Sequence, residues 1–189
     1  MSSKTDPRFL RSQEAILNAA RELLLESGPT AVTHVQVAER AGVGRATVYR
    51  HWPQAGSLLI DAMATVPMPF LDKPTTPTRE WLRRELTAIA RQLEDDHVRV
   101  VSTTLANTAV WDENMDARRA QFAGILADRL VAALDDAQAR GEITLALASR
   151  DAAAMAIGPM YYRGTIERAP IDSALIDAAI SALGTWSTD

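Results

Sequence analysis

The 189-residue chain has no cysteine, and this one absence removes disulfide frameworks, thiolate zinc sites and cysteine nucleophiles together. A reducing compartment, the cytoplasm, is therefore the expected location. Histidine is scarce as well: His34, His51 and His97 are the full set, and their spacing suits no shared metal. No Gly-rich phosphate loop and no nucleophile elbow occurs. No catalytic residue, metal or cofactor is expected, and the chain is not read as an enzyme. The longest apolar run, 152–162, is far short of the roughly 20 residues that span a bilayer, and Gly158 and Pro159 interrupt it. The opening Met-Ser-Ser-Lys-Thr-Asp-Pro-Arg lacks the apolar segment of an export signal. No membrane partner follows.

Strand alternation, internal repeats and low-complexity tracts are also missing, and what remains is helical periodicity. From Phe9 to Ser27, Ile16, Leu17, Ala20, Leu23 and Leu24 recur at three- and four-residue spacing until Gly28-Pro29 stops the pattern. Thr33 precedes a second helix as its N-cap, and Gln36 completes a capping box. Gly42 ends this helix after two turns, and a third, Arg45 to His51, begins after only Gly42-Val43-Gly44. Two short helices joined this tightly form a helix-turn-helix rather than an antiparallel hairpin. A fourth helix starts near Ala55. Four of the nine prolines then fall at 67, 69, 74 and 77, which reads as a break between domains. Beyond it, helical patterns run at about 79–94, 97–111, 115–140, 149–168 and 172–186.

Charge separates the two parts. Residues 1–65 hold seven Lys and Arg against six Asp and Glu, while 66–189 hold thirteen against eighteen, within a net charge of -4. A chain that coats nucleic acid indiscriminately is excluded, but a local reading surface is not. Arg45 stands at the start of the third helix, where a guanidinium can bind a guanine edge with two hydrogen bonds. Thr47, Tyr49 and His51 offer donors to phosphate oxygens, and Arg50 can reach phosphate or base. Thr33 and Gln36 lie beside the expected backbone path, though capping alone accounts for both.

The span 16–63 resembles the DNA-binding domain of TetR-family regulators. The residues that carry the resemblance are Gly28, Thr33 before Val37-Ala38, Ala41-Gly42-Val43, Thr47-Val48-Tyr49, His51-Trp52 and Leu58. It implies phosphate contacts at Thr33, Thr47, Tyr49 and His51, and base approach at Arg45, Ala46 and Tyr49. Two positions depart from the pattern. Gly44 replaces the usual serine-like cap, and Ala55-Gly56 replaces a lysine common at the head of the fourth helix, which removes one phosphate contact.

Gly158-Pro159-Met160-Tyr161-Tyr162-Arg163 is similar to a segment of one TetR C-terminal subgroup. This implies a homodimer formed by the last two long helices, with Tyr161, Tyr162, Ile176, Ile180 and Leu183 as interface candidates. It also implies a small-molecule effector pocket, for which Leu86, Leu105, Trp111, Phe122, Leu126 and Met155 are the candidates; the apolar character of these helices suggests an apolar effector. Each of these residues has plain core packing as its alternative.

The expected architecture is thus all-α with about nine helices: a helix-turn-helix domain at 1–65 built on a three-helix unit, then a helical ligand-binding and dimerisation domain at 66–189. The expected function is sequence-specific transcriptional regulation, a repressor released from a double-stranded, pseudo-palindromic operator by its effector. The second reading is a helical interaction module whose DNA binding has degenerated.

Overall fold

The computed structural model describes residues 7–66 and 71–187. Pro67 and Pro69 of the expected proline break lie outside them. Among the described residues the helices are α1 (Pro7–Ser27), α2 (His34–Ala41), α3 (Arg45–His51), α4 (Ala55–Met63), α5 (Thr78–Leu93), α6 (Asp96–Thr108), α7 (Glu113–Ala139), α8 (Ser149–Tyr161) and α9 (Ser173–Ser181). A 3-10 turn spans Pro29–Ala31, and a π turn, Tyr162–Ile166, continues α8. The chain divides into two compact units: Met1–Pro67 with Val100–Arg119, and Met68–Arg99 with Ala120–Asp189. The grouping by contact gives the first unit a later segment that a linear boundary at residue 65 assigns to the second domain.

The first unit is organised on α1. Its Ile16, Ala20 and Leu24, spaced by one helical turn, are fully buried, and α1 packs against α2 and α4. Val37 and Ala38 of α2, Val48 of α3 and Leu58 and Ala62 of α4 complete this core. A surface ion network joins α1 to α2, where the Arg40 guanidinium bonds both oxygens of Glu26, at 3.2 and 2.8 Å, and reaches Glu22 at 3.4 Å. The hydrogen bonds and charge of Arg40 hold the Glu26 carboxyl below its ordinary value.

In the second unit, α5 packs against α8 and α9, and α8 against α9. Trp81, Leu82 and Leu86 of α5, Leu130 and Leu134 of α7, Met160 of α8 and Ile180 of α9 are fully buried. Pro159, which cannot donate a backbone hydrogen bond, lies within α8, and the helix then widens into the π turn, closed by the Glu167 N–H to the Tyr162 carbonyl at 3.0 Å. Gly164 lets this turn lie against α5, since a Cβ there would sit 3.0 Å from the Leu93 Cβ.

The structure corrects the expectation of no strands. Ile143–Leu145 (β1) and Gly184–Trp186 (β2) pair antiparallel, with Thr144 opposite Thr185. Three residues are too few to show alternation in a sequence, and the partners lie about forty positions apart. The helical pattern expected over 172–186 therefore ends early, at Ser181. Gly184 makes the pairing possible, because a Cβ at that position would fall 2.1 Å from the Thr144 carbonyl oxygen.

Candidate nucleic-acid interface

Thr33 caps α2: its hydroxyl accepts the Gln36 N–H at 3.2 Å and donates to Gln36 Oε1 at 3.1 Å. The expected capping box closes differently, because Gln36 returns to the threonine hydroxyl while the Thr33 N–H donates to the Ala31 carbonyl at 2.9 Å. Gly42 then adopts φ 66°, the left-handed conformation that ends a helix sharply, and its N–H closes on α2 carbonyls. Gly44 precedes α3 without any side-chain cap.

Helix α3 is held from one side only. Val48 is fully buried and Trp52, its C-cap, is nearly so, whereas Arg45, Ala46, Tyr49 and Arg50 are exposed and Thr47 is half-buried. The Arg45 side chain is 62% exposed, with one guanidinium nitrogen 3.9 Å from Glu39 Oε1. At that exposure the ion pair is worth little, so the guanidinium remains available to another acceptor. Gln36 lies exposed in the first turn of α2. At the head of α4, where a lysine would add positive charge, a Cβ on Gly56 would lie 3.3 Å from the Asp112 carboxylate. That turn faces an acid instead, which complements the helix N-terminus but repels phosphate.

Rings brace the end of α3. Tyr49 is 51% exposed, yet one of its faces is stacked on the buried His34 ring, with centroids 4.0 Å apart and planes 12° apart. His34 Nε2 lies 2.7 Å from the Trp52 carbonyl, which can only accept, so Nε2 carries the hydrogen. The Trp52 indole N–H donates to Asp61 at 2.8 Å. His51 Nε2 is 3.0 Å from the Ser12 hydroxyl, and its ring lies against Phe9. The Ser12 proton is directed to the Phe9 carbonyl at 2.9 Å, so His51 donates to Ser12 through Nε2.

Sequence reasoning missed His34 and the Ser12–His51 link, since both join residues far apart in the chain and no local pattern marks them. The sequence offers His51 as a phosphate donor, whereas its Nε2–H bonds Ser12 and ties α3 to α1. Burial, and secondarily the Arg50 charge, push the His51 imidazole below its ordinary value of 6.5. The folded chain thus binds this proton less readily than the unfolded chain. Its stability contribution is intact above pH 6.5, declines as pH falls towards the folded-state value, and then levels off. Thermal midpoints at pH 7.5, 6.5 and 5.5 should accordingly fall less for His51→Gln than for the wild type. Equal declines would place the acid sensitivity elsewhere.

The remaining candidate residues fall in different settings. Ile176, Ile180 and Leu183 are buried within their own chain because α9 turns them towards α5 and α8, so they do not form an exposed dimer stripe. Tyr162 is exposed and Tyr161 half-buried. Of the pocket candidates, Leu86, Leu105 and Leu126 are buried and Phe122 is half-buried. Trp111, 88% exposed, and Met155, 43% exposed, face outward. Leu105 and Trp111 also belong to the first unit and the other four to the second. Among the described residues no cluster of metal-ligating side chains occurs, and no helix is long and apolar enough to cross a membrane.

A helix-turn-helix with one exposed recognition face, followed by a helical unit, defines the class of helix-turn-helix transcriptional regulators. Residues 16–61 match the family model for bacterial regulatory proteins of the tetR family, and residues 73–183 match that for the tetracyclin repressor-like C-terminal domain. The chain belongs to the TetR family. It is 27% identical over 163 residues to the HTH-type transcriptional regulator YdeS of Bacillus subtilis, covering 86% of this chain and 82% of that protein. It is 29% identical over 177 residues to the HTH-type regulator Rv2250c of Mycobacterium tuberculosis, covering 88% and 86%. Among solved structures, NalD, the secondary repressor of the MexAB-OprM multidrug efflux pump in Pseudomonas aeruginosa, shares the fold with a TM-score of 0.70 at 22% identity, over 93% of this chain and 98% of NalD. Membership identifies a DNA-binding transcriptional regulator rather than a degenerate interaction module, and points away from an enzyme. Regulators of this family bind DNA operators and small-molecule effectors and act as dimers.

Proposed function

We propose that this chain is a homodimeric repressor that reads a pseudo-palindromic operator with α3 and leaves it when an apolar small molecule binds the C-terminal domain. The observation that carries the reading is the one-sided seating of α3: Val48 and Trp52 face the interior while Arg45, Ala46, Tyr49 and Arg50 face outward together. In this reading Arg45, Ala46 and Tyr49 approach base edges, and Thr33, Gln36, Thr47 and Arg50 meet phosphates, while His51, whose Nε2–H is bonded to Ser12, holds the end of α3 against α1. NalD, described as a repressor, supports the direction of regulation by analogy of fold.

An exposed apolar stripe supports the dimer. Met155, Tyr162 and Ile166 follow the period of α8 and its π turn, and all three are exposed while the opposite side packs against α5 and α9. A second copy that covers this stripe would place two recognition helices in successive major grooves, about 34–36 Å apart. An effector that alters this spacing would weaken operator binding through a coupling of about 1–3 kcal/mol.

The test is fluorescence anisotropy with a duplex from upstream of the chain's own gene, a scrambled duplex and two salt concentrations. Wild type should prefer the first duplex and bind it with two chains per site, and Arg45→Ala should lose about 1–3 kcal/mol of that preference. Arg50→Ala should instead weaken binding to both duplexes if its contact is to phosphate, lowering the salt slope by about one. If a selection of genomic fragments also yields no preferred duplex, the proposal falls.

A further inference from the structure

We infer that His34 is a positioning residue for DNA recognition: it clamps Tyr49 in a fixed orientation on the reading face of α3. This rests on the DNA-binding reading above. Tyr49 is half exposed, and a side chain at such a site ordinarily samples several rotamers that binding must then select. Here one face of its ring is occupied. The His34 imidazole lies parallel to it at 4.0 Å, and His34 is itself only 7% exposed. The imidazole is fixed in turn, because Nε2–H donates to the Trp52 carbonyl at 2.7 Å, at the C-cap of α3.

The arrangement closes a short circuit. His34 is the first residue of α2, Tyr49 lies within α3, and Trp52 ends α3. One side chain from α2 therefore satisfies a terminal carbonyl of the recognition helix and sets the plane of its central aromatic ring. The free face and the hydroxyl of Tyr49 are left for DNA, with the ordering of the ring completed during folding. A residue that supplied only the stack, or only the hydrogen bond, would provide half of this device.

A double-substitution cycle tests it, using the duplex that the purified wild-type chain enriches from a random-sequence pool, at a temperature where circular dichroism shows every variant folded. Tyr49→Ala should weaken binding, and His34→Leu should weaken it about three- to tenfold, the cost of ordering one side chain on association. The double variant should bind no worse than Tyr49→Ala alone. His34→Phe, which keeps an aromatic stack, should recover most of the loss while remaining less stable for want of the bond to Trp52. Phosphate-interference or base-preference profiles should change at the same positions for His34→Leu and Tyr49→Ala. Purely additive losses, or a smaller active fraction with unchanged affinity, would reduce His34 to a structural residue and overturn the inference. If Tyr49→Ala binds as wild type does, the inference fails while specific DNA binding stands. If the wild-type chain enriches no duplex, the DNA-binding reading fails and the inference with it.

Discussion

Trp52→Ala is expected to cost the first unit about 3–5 kcal/mol, the range for removing a buried tryptophan. The side chain is nearly fully buried and its indole N–H donates to Asp61 of α4 at 2.8 Å, while the backbone N–H closes α3 on the Val48 carbonyl. The substitution opens a cavity where α3 meets α4 and removes the indole bond in the same step. Trp52→Phe separates the two effects: it retains most of the volume and loses the charged hydrogen bond, worth about 1.5–3 kcal/mol. Chemical denaturation of the three proteins checks this, and a cost below about 1 kcal/mol for Trp52→Ala would show that α3 is seated by Val48 alone. DNA affinity should fall with Trp52→Ala even where the unit stays folded, because loss of the indole loosens the C-cap of α3, where the backbone carbonyl of residue 52 holds His34.

The helix-turn-helix was legible because each of its signals is local. A cap at Thr33, a left-handed glycine at Gly42 and an apolar position at Val48 lie within sixteen residues and dictate the turn almost unaided. The exposed positions followed, since a seven-residue helix with Val48 inward turns Arg45, Ala46, Tyr49 and Arg50 outward. What escaped were the links across long sequence separations. His34 to Trp52, Ser12 to His51 and β1 to β2 each unite residues whose types carry no sign of the partner. The α9 stripe carries a related ambiguity. Ile176, Ile180 and Leu183 mark an apolar face, but periodicity does not say whether that face meets its own chain or a second copy. In the folded chain Ile176, Ile180 and Leu183 are buried, whereas Met155, Tyr162 and Ile166 are exposed.

The second large effect is expected at Trp81, in the other unit. It is fully buried on α5, the helix that packs against both α8 and α9, so Trp81→Ala should cost about 3–5 kcal/mol. Trp81→Phe should cost far less than this. Its indole N–H has no protein acceptor among the described residues, and a buried donor without a partner carries a desolvation penalty of about 1–3 kcal/mol. Phenylalanine removes that penalty together with part of the packing, so the two changes largely offset, leaving a net cost under about 1.5 kcal/mol. Denaturant midpoints at a fixed protein concentration would measure both variants, with the concentration dependence of the midpoint reporting dimerisation. Equal costs for the two substitutions would mean that the indole N–H is satisfied and that this part of the α5 core is polar in character. A small cost for phenylalanine with an unchanged concentration dependence would instead show that α5 supports α8 through apolar packing alone.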